Sequence, residues 1–374
     1  MNDLDKLGDY FSSVTDPRGD RGKMYNLQEI LVIAICAVIC GGDSFESMSA
    51  FGEGKKDWLN KFLELENGIP SPDTFGRVFS MLDPIEFKNA FTKWVESISD
   101  LVEGEIVAID GKTVCNSHDK VNDKAPIHLV NVWANSANLV LGQEKTESKC
   151  NEIKEIPKLM KLLHLEDCIV TIDAMGCQES IVETIVQKNA DYVLALKKNN
   201  KNFYNDVSFL FKTEQENGFE DISYDHYETV NKDHGRIERR NYYITSDIEQ
   251  LPYKLEWSEL ESVGMVESER IIDGEKTTET RYYITSLGEN AEEFGTAVRE
   301  HWGIENKLHW VLDVAFNEDN IRVRKENAAE NLALIRKIAL NALKQEESYD
   351  AGTKNKRYKA ALDTDYLLKV LSIF

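Results

Sequence analysis

The chain has 374 residues, 42% hydrophobic and 29% charged, the balance of a globular protein too long for one simple core, so two or three domains are expected. Its 44 basic residues face 66 acidic ones, and a net charge of −22 excludes a uniformly basic nucleic-acid surface. The longest apolar run, 30–40, is too short to span a bilayer and starts too deep in the chain for a signal peptide, so it reads as a buried helix. Residues 1–100 read as a helical N-terminal domain. Asn26 caps a buried helix that begins at Leu27 and stops at Gly41-Gly42. Ser71-Pro72-Asp73 starts another, with Phe75, Val78, Phe79 and Leu82 at helical spacing. Asp83-Pro84 ends it, and a further helix takes Phe87 to Ile98. These short helices fit either a DNA-reading helix-turn-helix or an ordinary small bundle.

From Glu105 the pattern changes. Ile106–Ile109 reads as a buried strand, followed by strands at Ile127–Trp133 and Leu139–Gln143. A short helix over Ile156–Leu163, with Pro157 in its first turn, leads to a strand at Cys168–Ile172. A helix at Ser180–Lys188 and a strand at Tyr192–Leu196 complete the series. The expected fold class is therefore α/β: a ribonuclease-H-like mixed sheet with flanking helices, occupying 104–345. A β-rich insertion at 207–296 interrupts it, carrying the similar segments Tyr242-Tyr-Ile-Thr245 and Tyr282-Tyr-Ile-Thr285. A helical stretch, Val298–Leu312, returns to the core, and another helix covers Asn327–Leu343. Residues 346–374 read as a C-terminal tail, polar and flexible until Tyr366.

Three acids stand where metal-assisted phosphoryl chemistry would need them. Asp110 closes the run Ile106–Ile109, Asp173 closes Ile169–Ile172, and Glu305 lies in the 298–312 helix. A carboxylate at the mouth of a buried strand is costly to desolvate unless a cation or donor meets it. Two such strands and an acidic helix can hold a pair of divalent ions. Blander readings stand beside this one: Asp110 as a turn-former after its strand, Asp173 as a helix cap, Glu305 at the solvent edge of a helix packing two tryptophans. If Glu305 faces away, Asp313, Glu318 and Asp319 compete for its role. His301, Glu305 and His309 share one helical stripe and would suit zinc, but a closed ligand set is missing. Asp110-Gly-Lys-Thr113 is not a phosphate loop, because Ile106 stands where the motif needs glycine. The six cysteines (Cys36, Cys40, Cys115, Cys150, Cys168, Cys177) show no paired spacing and read as reduced thiols of a cytoplasmic protein. Candidate phosphate contacts are Lys112, beside Asp110, and Lys197, Arg236 and Arg239 in local basic clusters that by themselves read as solvated faces.

Several ordered motifs carry a resemblance. Ile109-Asp-Gly-Lys-Thr113, Ile172-Asp-Ala-Met-Gly-Cys-Gln178, Asp191-Tyr-Val-Leu-Ala-Leu-Lys197, His234-Gly-Arg-Ile-Glu-Arg239 and His301-Trp-Gly-Ile-Glu-Asn-Lys-Leu-His-Trp310 resemble the DDE transposases of bacterial insertion sequences. The similarity is to the ISAs-type branch that includes the H-repeat-associated proteins. Asp16-Pro-Arg-Gly-Asp20 and Ile69-Pro-Ser-Pro-Asp-Thr-Phe-Gly-Arg77 resemble that group's helical leader. The resemblance implies that Asp110, Asp173 and Glu305 ligate two Mg²⁺ ions, with Mn²⁺ as a substitute. It also implies cleavage at the element's terminal repeats, strand transfer into target DNA, and a synaptic complex at least transiently dimeric, on the nucleoid and away from any membrane. A catalytically silent, domesticated relative that binds DNA or protein is the other reading. Cys115-Asn116 stands where relatives often carry a basic residue.

Overall fold

The run Ile106–Ile109 has no apolar–polar alternation because the strand it forms is covered on both faces. The computed structural model describes residues 3–19, 23–99, 101–118, 125–146, 151–233 and 235–374, so Asp20, Cys150 and His234 lie outside the described residues. That run opens β1 (Ile106–Thr113). β2 (His128–Ala134) and β3 (Leu139–Thr146) follow antiparallel on one side. On the other side β4 (Ile169–Ile172) and β5 (Asp191–Leu196) lie parallel to it. β6 (Asp225–Asp233), β7 (Arg236–Thr245), β8 (Ser262–Ile272) and β9 (Glu275–Thr285) form an antiparallel meander. β9 pairs with β5, giving the order β3-β2-β1-β4-β5-β9-β8-β7-β6 among the described residues. The chain is a mixed α/β protein built on one large mixed sheet with flanking helices.

The N-terminal region holds α1 (Asp3–Tyr10), α2 (Leu27–Ile39), α3 (Phe45–Gly54), α4 (Lys56–Leu59), α5 (Pro72–Met81) and α6 (Pro84–Ile98). Their starts follow the capping chemistry: Asn26 accepts from the Gln28 N–H at 2.8 Å, Ser71 from Thr74 at 3.3 Å, and Asp83 from Ile85 at 2.8 Å. α2 is buried all round because it packs against α12 (Ala328–Gln345), itself buried along most of its length. One hydrophobic core runs unbroken from Leu7 to Phe374, so packing shows no seam near residue 100.

Three expectations need correction. The helix placed at Ile156 starts at Glu152 (α7, Glu152–Lys161), which puts Pro157 inside it rather than in its first turn. The early start has a visible cause, since the Glu152 carboxylate is bonded to His128 on β2. Between α8 (Glu179–Val186) and β6 the chain forms α9 (Lys201–Glu216), a helix the sequence reading passed over. Its buried Phe203, Val207, Leu210 and Phe211 lie on one helical stripe. The expected flexible tail folds instead into α13 (Thr353–Leu362) and α14 (Thr364–Leu371). Arg357 anchors it, donating to the Val38 carbonyl at 2.7 Å and to the Ala315 carbonyl, and pairing with Asp43. Phe374 stacks on Trp94 with ring centroids 4.4 Å apart. Among the described residues no helix is long and apolar enough to cross a membrane.

Candidate active site

β1 and β4 run parallel, and their last paired residues are Ile109 and Ile172. Asp110 and Asp173 are the next residue on each strand, so register alone sets them side by side at one edge of the sheet. Asp110 does not end its strand as expected. β2 keeps pairing with β1 as far as Thr113, with Asp110 opposite Asn131, and only the β4 side falls away. Asp173 caps the short turn 174–176, accepting from the Met175 N–H at 3.0 Å. Its capping role and its place beside Asp110 are therefore compatible.

Glu305 arrives on the third segment. α10 (Ala291–His301) runs into a π-helical turn (Ile304–His309) and then α11 (Trp310–Ala315). Two histidines flanking Glu305 bind this segment to the sheet. His301 Nδ1 lies 3.0 Å from Thr171 Oγ1 on β4, and His309 Nε2 lies 3.3 Å from Asn131 Nδ2 on β2. His309 Nδ1 is 3.6 Å from an Asp110 oxygen. The two histidines thus serve the sheet contact, and among the described residues no three His, Cys, Asp or Glu side chains form a ready-made metal cluster. Gly303 permits this approach, because a Cβ there would meet Asn135 Oδ1 at 1.9 Å.

Burial pushes the Asp110 carboxyl up to about 7, and repulsion from Asp173, Glu305 and Glu152 adds to it, against one hydrogen bond from the Gly111 N–H. Burial depresses His301 to about 4 and His309 to about 3, so neither brings a positive charge at neutral pH. Asp110 and Asp173 are half-buried, while Glu305 is exposed.

Residues missed by the sequence reading surround it. Buried His128 has Nδ1 2.8 Å from Thr113 Oγ1, and its Nε2 meets the Glu152 carboxylate, making a chain directly beneath Gly111. A Cβ at Gly111 would strike Glu152 at 2.4 Å and His128 at 2.5 Å, which explains the glycine after Asp110. Only the strand period could have flagged His128, as a polar residue pointing inward. Lys112 does not project as a free phosphate contact. Its ammonium is 2.7 Å from Asp313, 3.6 Å from Asp319 and 4.0 Å from buried Glu318. The acids that competed with Glu305 are thereby accounted for as partners of Lys112. Lys197 is exposed past the end of β5. Arg236 and Arg239 are exposed on β7, paired with Glu238 at 3.0 Å and Glu228 at 3.1 Å.

Comparison with known proteins bears on this geometry. Residues 103–342 match the family described as Transposase DDE domain, and residues 8–95 match the family DDE_Tnp_1-associated. The chain is 41% identical to YncI of Escherichia coli O157:H7 over 99% of its own length and 95% of that protein's. It is 38% identical to the H repeat-associated YhhI of Escherichia coli K12, over 99% of this chain and 98% of the relative. Both names carry the word transposase. It is also similar to a piggyBac transposase solved in a synaptic complex with hairpin DNA, at 10% identity and a TM-score of 0.46, over 98% of this chain and 80% of that one.

Proposed function

The chain belongs to the Transposase DDE domain family, whose members cut DNA and transfer its strands with the help of divalent metal ions, and from that membership we propose a Mg²⁺-dependent transposase of a bacterial insertion sequence. It hydrolyses phosphodiesters at the element's ends and joins them to target DNA. What supports this reading is that Asp110 and Asp173 follow the last paired residues of two parallel strands, while His301 and His309 hold the segment bearing Glu305 to β4 and β2. Such a donor set suits hard cations, which take oxygen ligands and would relieve the repulsion. Asp110, Asp173 and Glu305 would hold Mg²⁺, with Mn²⁺ as a substitute. When bound, the ions supply Lewis-acid stabilisation of the charge that builds on the phosphoryl group and the leaving 3′ oxygen.

The protein's own groups place and orient. His301 and His309, neutral at pH 7, hold the Glu305 turn against β4 and β2 without adding charge to the site. The Met175 N–H fixes Asp173, and the Gly111 N–H steadies Asp110. The order β3-β2-β1-β4-β5, antiparallel then parallel, supports a ribonuclease-H-like body within 104–345. The helical leader 1–100 and parts of the 207–296 insertion grip DNA, with Lys197, Arg236 and Arg239 on phosphates. Lys112, held by carboxylates, positions the segment around Asp313 instead. A homodimer joins two ends in the synaptic complex, in the cytoplasm.

A net charge of −22 favours one other reading, a catalytically silent relative that binds DNA or protein. The deciding assay is Mg²⁺-dependent nicking of DNA carrying the inverted repeats that bracket the reading frame. Nicking lost in Asp110→Ala supports the enzyme. Nicking unchanged in that variant refutes the site, no nicking by the wild type favours the silent relative, and nicking without preference for the repeats points to a general nuclease.

A further inference from the structure

β7 is pleated so that Arg236, Glu238, Arg240 and Tyr242 share one face of the sheet. On that face a cleft of about 330 Å³ opens between β7–β9 and the end of α10, and a second hollow beside it shares Glu238, Tyr242 and Arg299. Register places Arg270 opposite Glu238. Glu238 is 5% exposed and is bonded by Arg236 Nε and Arg270 Nε, each at 3.0 Å, and by Arg240. Three guanidinium groups therefore surround one carboxylate. Arg240 is mostly buried, and its Nη1 has no hydrogen-bond partner. The cleft's other acids are already paired: Glu279 with Arg281, also of the cleft, at 2.8 Å, and Glu269 with Lys276 at 2.5 Å. Arg299, exposed on the rim of both hollows, has no ion pair among the described residues.

A desolvated guanidinium with a spare donor favours an anion with several acceptor oxygens, and its planar fork matches phosphate. The position fits as well as the chemistry. Trp302, three residues before Glu305, lines the cleft beside Arg299, so DNA backbone flanking a bond held at Glu305 lies next to it.

We propose that the cleft between α10 and the β7–β9 face is a phosphate site for the DNA backbone flanking the cleaved bond. Arg240 and Arg299 make the contacts, and Glu238 positions the guanidinium groups. The proposal rests on the transposase reading above and names where that DNA lies. It makes the insertion a second grip on the same strand, in a molecule of net charge −22.

The test is fluorescence anisotropy of a labelled duplex carrying the terminal inverted repeats, titrated with the full chain without divalent metal across a KCl series. Arg299→Gln should weaken binding about fivefold to tenfold at 0.1 M salt and reduce the log–log salt slope by about one. Arg240→Gln should act in the same direction. Lys254→Gln removes the same charge from an exposed site of the insertion outside the cleft and should leave affinity and slope unchanged. Thermal melting of each variant shows that the fold is retained. Wild-type affinity and slope in Arg299→Gln, or an equal loss in Lys254→Gln, overturns the cleft while leaving the nicking assay to judge the transposase. Failure of the wild type to bind this duplex at all overturns both.

Discussion

Replacing Asp110 by Asn is expected to stabilise the metal-free protein at alkaline pH. An aspartate in the unfolded chain titrates near 3.8, whereas the folded Asp110 carboxyl is pushed up to about 7 by burial and by Asp173, Glu305 and Glu152. Between those values the folded chain keeps a proton that the unfolded chain has lost. Wild-type stability therefore falls as pH rises through this window, and the whole loss is present once pH exceeds about 7. Three units of difference correspond to about 4 kcal/mol at about 1.36 kcal/mol per unit. Asparagine keeps the shape and the acceptor for the Gly111 N–H but carries no charge. Urea unfolding in chelator should show the advantage of Asp110→Asn over wild type growing by about 3 kcal/mol between pH 5 and pH 8. Adding Mn²⁺ should then stabilise the wild type and leave the variant unmoved, since only an ion that binds the folded state shifts the equilibrium. An advantage that stays flat with pH, or a variant less stable than wild type at pH 8, would refute the crowding of acids around Asp110.

Asp173→Ala and Glu305→Ala should each cut Mg²⁺-dependent nicking by about 10²–10³-fold, measured as initial rates, while anisotropy shows DNA still bound. Gly303→Ala forces a methyl group into Asn135, so it should cost about 1–3 kcal/mol in chemical denaturation and lower the nicking rate by moving Glu305. The double variant Gly303→Ala/Asn135→Ala should recover part of both. Lys112→Met leaves half-buried Asp313 and Asp319 without this cation, while buried Glu318 keeps Arg336 at 3.3 Å, and should cost about 1–3 kcal/mol, read by urea unfolding. A Lys112→Met protein of unchanged stability but weakened DNA affinity would return Lys112 to the role of a phosphate contact. Truncation after Lys344 removes Arg357 and Phe374 from α2, Asp43 and Trp94, and the shortened chain should melt well below the full one.

Local chemistry was legible wherever one residue decided the outcome. Asn26, Ser71 and Asp83 start helices because each side chain satisfies an amide within two or three residues, which needs no tertiary context. The apolar runs before Asp110 and Asp173 announced strands buried on both faces, and pairing those strands in parallel brought the aspartates together. What depends on distant partners stayed hidden. β1 continues past Asp110 only because β2 goes on pairing, and α7 starts early where Glu152 meets His128. Lys112 looked free in sequence, yet its partners lie some two hundred residues away, at Asp313 and beyond. Residues after Lys344 looked like a solvated tail because Arg357 and Lys356 read as surface charges. Both are buried, donating to main-chain carbonyls of other segments.

The central claim is that carboxylates from β1, β4 and the π-helical turn converge on divalent cations. Anomalous diffraction from crystals of the full chain soaked in Mn²⁺ tests it most directly. The account predicts density contacted by Asp110, Asp173 and Glu305 together, lost in Asp173→Asn. Manganese seated elsewhere, or held without Glu305, would contradict it.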